Sequence, residues 1–87
     1  MSYDSTMEIE VLDEKLYGKL KEELEIPEPA YGDDVLVIAR FKDGRTDQFY
    51  AFIEDVALYV CGDYLCLTDE YGNKDPSKKV AKVTKWW

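Results

Sequence analysis

From residue 35 onward this 87-residue chain is a series of short apolar runs cut by tight-loop signals, and a stretch so punctuated can form little but an antiparallel sheet. Val35 to Lys42 and Arg45 to Ile53 flank Asp43-Gly44, the strongest short-range hairpin signal a sequence offers. Val56 to Cys61 and Tyr64 to Thr68 flank Gly62-Asp63, a second acceptable loop. Tyr71-Gly72-Asn73 and Asp75-Pro76-Ser77 form a looser connection, after which Val80 to Trp86 reads as the closing strand.

Loop lengths set the register. With Asp43-Gly44 as the whole loop, Ile38 pairs with Phe49 and Leu36 with Ala51. A turn at Glu54-Asp55 would set Ala51 against Leu58, and Gly62-Asp63 sets Val60 against Leu65. Alternation then gathers Leu36, Ile38, Phe49, Ala51, Ile53, Val56, Leu58, Val60, Leu65 and Leu67 on one dry face, with Leu58 near its centre. The opposite face collects Val35, Val37, Phe41, Tyr50, Phe52, Tyr59, Cys61, Tyr64 and Cys66, which reads either as a second core or as an exposed binding surface. Cys61 and Cys66 are diagonal neighbours there, with Cα atoms about 7–8 Å apart, beyond the usual disulfide span, so free thiols are expected.

Ahead of the sheet, Met7, Ile9 and Val11 alternate with Glu8 and Glu10, the period of a strand with one wet face. Ser5-x-x-Glu8 could instead be a capping box that opens one long helix. Asp13 is the better helix start, and Leu16, Tyr17, Leu20 and Leu24 make an apolar stripe that Pro27 ends. Gly18 inside that helix suggests the close approach of another backbone. Glu25 to Asp34, with Pro27, Pro29 and Gly32, reads as an extended linker. The expected architecture is one α+β domain over 1–87: an acidic strand-helix-linker segment, 1–34, then a strongly bent antiparallel meander, 35–87. One N-terminal helix packs on five to six strands, the alternative being an SH3-like small barrel.

An N-terminal helix before five strands, with Phe41-Lys42-Asp43-Gly44-Arg45 after an apolar strand, is similar to the opening of Sm-like small barrels over about 35 residues. The glycine expected in the next strand is absent, and no Asp-x-x-x-Asn nucleotide-binding signature follows. The resemblance implies barrel shape and not RNA binding.

Charge bounds the partners. The formal −8 lies entirely in the first 34 residues, where eleven acids meet three lysines, and the rest of the chain is neutral. Five lysines (Lys74, Lys78, Lys79, Lys82, Lys85) crowd the last fourteen residues. An acidic end repels nucleic acid and attracts basic surfaces. Glu8 and Glu10, one pleat apart, could imitate a row of phosphates.

The chain has no histidine, which removes the usual general base, and two cysteines cannot complete a tetrahedral zinc site. Acids at turns serve the backbone, and no glycine-rich phosphate loop occurs. No enzyme, cofactor or metal is expected. No basic region followed by an apolar one opens the chain and no apolar run approaches a membrane span, so the expected compartment is a cytoplasm.

What remains is a small acidic protein that occupies a partner's surface, monomeric when free. In type it resembles the inhibitors that phages and mobile elements encode against host defence, anti-CRISPR proteins among them. The expected partner is a protein with a basic surface, met by Tyr50, Tyr59, Tyr64, Glu22, Glu23, Glu25 and Trp87. The alternative is an oligomerising structural module that uses the tyrosine face.

Overall fold

A computed structural model of the chain describes residues 5–27 and 34–86. In chain order these form β1 (Ser5–Val11), α1 (Glu14–Leu24), β2 (Glu25–Ile26), β3 (Asp34–Arg40), β4 (Thr46–Phe52), α2 (Ile53–Tyr59), β5 (Val60–Cys61), β6 (Tyr64–Thr68) and β7 (Lys74–Trp86). The strands make one curled, mixed sheet in the order β2-β4-β3-β1-β7-β6-β5, a half-barrel.

The alternation at the N-terminus wins over the capping box: Met7, Ile9 and Val11 are buried, while Glu8 and Glu10 face away. β1 is not an added edge but the central strand, parallel to β3 and antiparallel to β7. Parallel neighbours cannot be joined by a tight turn, and α1 lies in the connection from β1 to β3. A continuous meander is therefore not what forms. The β3–β4 hairpin and the β5–β6–β7 meander are separate blocks, and β1 holds them together.

α1 begins where Asp13 caps it, its Oδ1 accepting from the Leu16 amide at 3.1 Å. Tyr17, Leu20 and Leu24 bury one stripe against the sheet. The helix ends at Leu24, and Glu25–Ile26 pairs with Tyr50 and Ala51 of β4, so the expected linker starts as a strand. Nothing lies within 4 Å of where a Gly18 Cβ would stand, and no backbone approaches it. The glycine is a helix-weakening residue without a packing reason. Gly18→Ala should raise stability by about 1 kcal/mol in urea denaturation.

The Asp43-Gly44 hairpin forms with a longer loop than expected. Phe41 N–H bonds Arg45 O at 2.9 Å, Gly44 N–H bonds Phe41 O at 3.1 Å, and Gly44 has φ +96°. Lys42-Asp43-Gly44 is thus a three-residue loop with glycine in the left-handed position. The register becomes Val37 against Phe49 and Leu36 against Tyr50. A one-residue shift exchanges the faces of one strand. Val35, Val37 and Ala39 enter the core with Phe49 and Ala51, and Leu36 and Ile38 are left half-buried on the other side.

A second departure is α2. The stretch expected to turn at Glu54-Asp55 and continue as a strand is a helix through Tyr59, with its acids in the first turn and Val56 and Tyr59 buried. Leu58, expected at the core centre, is 48% exposed, and Tyr59 is 8% exposed. α2 packs on both β4 and β6, bridging strands on opposite sides of the half-barrel. The Gly62-Asp63 loop forms as expected, pairing Val60 with Leu65, with Gly62 at φ +67°.

β7 supplies the curl. Its register slips opposite Glu8/Ile9, opposite Leu65/Cys66 and between Cys66 and Thr68. Bulges bend a strand and increase its twist, which lets thirteen residues follow both β6 and β1. At one of them Val80 and Ala81 are both buried in succession.

Candidate functional site: an acidic surface on the helices

The last turn of α1 carries charges of both signs. Glu14 in the first turn and Lys21 in the last are placed as the dipole favours, but Glu22 and Glu23 share that last turn, with Glu25 at the cap. Carboxylates at a helix C-terminus oppose the macrodipole, at about 0.3–1 kcal/mol each when exposed. Two of the three have local partners: Lys21 lies 4.0 Å from Glu25, and the Tyr59 hydroxyl donates to Glu23. Glu22 is exposed, and no bond to another described residue accounts for its place.

The Tyr59–Glu23 bond joins the helices. Tyr59 closes α2 with its ring in the core, and its hydroxyl reaches the carboxylate on α1. Burial first, then Glu23, pushes the Tyr59 hydroxyl up to about 12, and Asp55 adds to the same field. Acids from α1 and from the first turn of α2 therefore act on one point. Glu54 and Asp55 are exposed beside it in sequence. Glu23 and Asp55 meet at Tyr59, and Glu22, Glu25 and Glu54 are their neighbours along the two helices.

α1 is fixed to the β3–β4 hairpin by a separate polar joint. Tyr17 donates to Asp47 at 2.8 Å and Lys21 to the same oxygen at 3.0 Å. Tyr17 also meets Phe41 edge-on, at 5.3 Å between centroids, and Arg45 lies over Phe41 while bonding Glu14 at 2.7 Å. Burial opposes charge on Asp47, yet the bonds from Lys21 and Tyr17 hold its carboxyl below the usual range. Burial, then Asp47, pushes the Tyr17 hydroxyl well above its ordinary value.

The sign for both tyrosines is the same. A hydroxyl whose folded pKa is raised contributes stability that is whole below the unfolded pKa of about 10 and is lost as pH rises beyond it. In an absorbance titration Tyr17 and Tyr59 should ionise above the ordinary tyrosine value of about 10. The urea midpoint should fall between pH 10 and 12, the value Tyr59 approaches.

The tyrosine face does not form as one surface. Tyr50 lies on β4 and Tyr64 on β6, with β3, β1 and β7 between, a separation of about 19 Å at the usual strand spacing. Tyr59 has turned inward on α2. Tyr64 is half-buried with the Lys79 ammonium 4.5 Å from its ring centroid. Cys61 and Cys66 do lie together as free thiols, and burial, then the Cys61 thiol, pushes Cys66 up to about 11. Trp87 lies outside the described residues.

The row of Glu8 and Glu10 is interleaved with bases. Glu8 pairs across strands with Lys85 and stands 3.5 Å from Arg40, and Glu10 lies between Arg40 and Lys82. The two carboxylates therefore stand in rows of alternating sign across the sheet. Asp34, at the start of β3, is buried, and its carboxylate has no hydrogen-bond partner among the described residues.

Sequence reading missed Glu54 and Asp55 as site residues. Their signal was acids ahead of an apolar pair at helical spacing, Val56 and Tyr59. No helix among the described residues is long and apolar enough to cross a membrane. No protein-family model matches the chain, and neither a curated protein nor a solved structure is significantly similar to it.

Proposed function

We propose that the protein acts by occupying a basic surface on a protein partner through the acidic ends of α1 and α2. The observation that carries this reading is the placement of Glu22 and Glu23 in the last turn of α1, where they oppose the helix dipole and where Glu22 makes no bond among the described residues that would repay the opposition. A local rule broken without structural gain is the usual mark of a functional position. The action of Asp55 at the Tyr59–Glu23 bond extends the charge beyond one helix. Inhibition by occupancy, of the kind small phage-encoded anti-defence proteins exert, is the mode this chemistry suits, and it requires no catalytic group.

Immobilised protein would be offered host lysate at low and at high salt, as wild type and as two charge-reversed variants. Glu22→Lys/Glu54→Lys changes the helical surface. Asp63→Lys/Glu70→Lys makes the same net change in the loops of the β5–β6 and β6–β7 hairpins. Salt-sensitive capture of a basic protein, lost in the first variant and kept in the second, is the expected result. Equal capture by both variants would refute the surface, because net charge alone would then explain the binding.

A further inference from the structure

The β3–β4 hairpin and β1 border a half-open cavity of about 330 Å³ lined by Glu10, Arg40, Phe41, Lys42, Thr46 and Thr84, among others. Glu10, Arg40 and Thr46 are adjacent in one cross-strand row on the sheet face turned away from the core. Lys42 follows in the hairpin loop, and Thr84 comes from a bulge of β7. A volume of this size is at the lower end of ligand pockets, about 300–1,000 Å³.

The lining has two chemical ends. Arg40 and Lys42 are cations; Arg40 is exposed, stands 3.5 Å from Glu8 and lies across the strands from Glu10. That length is at the limit of a hydrogen bond and leaves most guanidinium donors available. A planar fork beside a point charge is the arrangement that takes phosphate oxygens. Glu10, in contrast, can only accept when ionised, so it needs a donor from the ligand and repels a second anion. The Thr46 hydroxyl serves either way, while Thr84 already donates to the Glu8 carbonyl at 3.1 Å and so offers its lone pairs. Phe41, whose ring already meets Tyr17 and the Arg45 guanidinium, adds an apolar edge to the lining.

We propose that this cavity binds a small phosphorylated polyol, its phosphate on Arg40 and Lys42 and its hydroxyls on Glu10, Thr46 and Thr84. The site is independent of the protein-binding reading, and the failure of either leaves the other standing.

Amide NMR titration of the intact chain tests it, with glucose 6-phosphate, inorganic phosphate and glucose as probes at up to about 10 mM. Saturable shifts from glucose 6-phosphate confined to the amides of Glu10, Phe41, Lys42, Thr46 and Thr84 and their neighbours are expected, with weaker ones from inorganic phosphate. Arg40→Ala/Lys42→Ala should weaken both by at least about tenfold, with an unchanged fold seen in the remaining amides. Glu10→Gln should weaken the sugar phosphate and leave or improve inorganic phosphate. No shifts, or shifts spread over the β7 lysines and untouched by the double variant, would overturn the site. Inorganic phosphate binding as well as glucose 6-phosphate would overturn the polyol assignment.

Discussion

Tyr59→Ala should cost about 3–5 kcal/mol in chemical denaturation, whereas Leu58→Ala, one residue earlier, should cost about 1 kcal/mol or less. The contrast follows from α2. As a strand, residues 56–60 would send Leu58 inward and Tyr59 outward. As a helix they bury Val56 and Tyr59, and Leu58 stands 48% exposed. Tyr59→Ala removes a ring from the core and the hydroxyl that bonds Glu23. A domain of this size has on the order of 5–10 kcal/mol to lose, so the variant should be largely unfolded in mild urea. Tyr59→Phe, which keeps the ring, should recover most of the loss. A Leu58→Ala protein less stable than Tyr59→Ala would mean that 53–59 is not this helix.

Ile9→Ala should cost about 2–5 kcal/mol. Ile9 is fully buried in the strand that joins the two halves of the sheet, beside Ala39 on one edge and Val83 on the other. β1 is hydrogen-bonded along both edges, so the backbone cannot close on the space left, which favours the upper part of that range. Glu10→Ala, one residue on and exposed, should change stability by about 0.5 kcal/mol or less. Equal losses from the two would show that β1 is not inserted between β3 and β7.

Local chemistry was legible where it was self-contained. The alternation of Met7, Ile9 and Val11, the Asp13 cap and the Val60–Leu65 pairing across Gly62-Asp63 all stand as read. The Asp43-Gly44 loop misled because the glycine serves equally in a two-residue loop and as the left-handed third residue of a longer one. That single residue exchanged Leu36 and Ile38 for Val35, Val37 and Ala39 in the core. The α2 segment satisfies both periods: Val56, Leu58 and Val60 alternate, and Val56 and Tyr59 are three apart. The helix prevails where the chain passes from β4 across to β5 and packs on β6 as well. Parallel pairing of β1 with β3 depends on contacts about thirty residues apart, which no window of sequence displays.

The site divided in the same way. Glu22, Glu23 and Glu25 were legible as acids, because charge needs no register. The tyrosine surface required the whole register to be right, and one shifted loop and one unforeseen helix dispersed it. Glu54 and Asp55 joined the acids only once α2 existed.

On the proposed function, the acids ending α1 are kept for a partner at the expense of the helix that bears them. Urea denaturation of Glu22→Lys measures this without knowledge of the partner. The substitution removes a charge that opposes the helix dipole and supplies one that complements it, so the midpoint should rise, by about 0.3–1 kcal/mol in stability. A Glu22→Lys protein less stable than the wild type would show that Glu22 serves the fold, and would contradict the account.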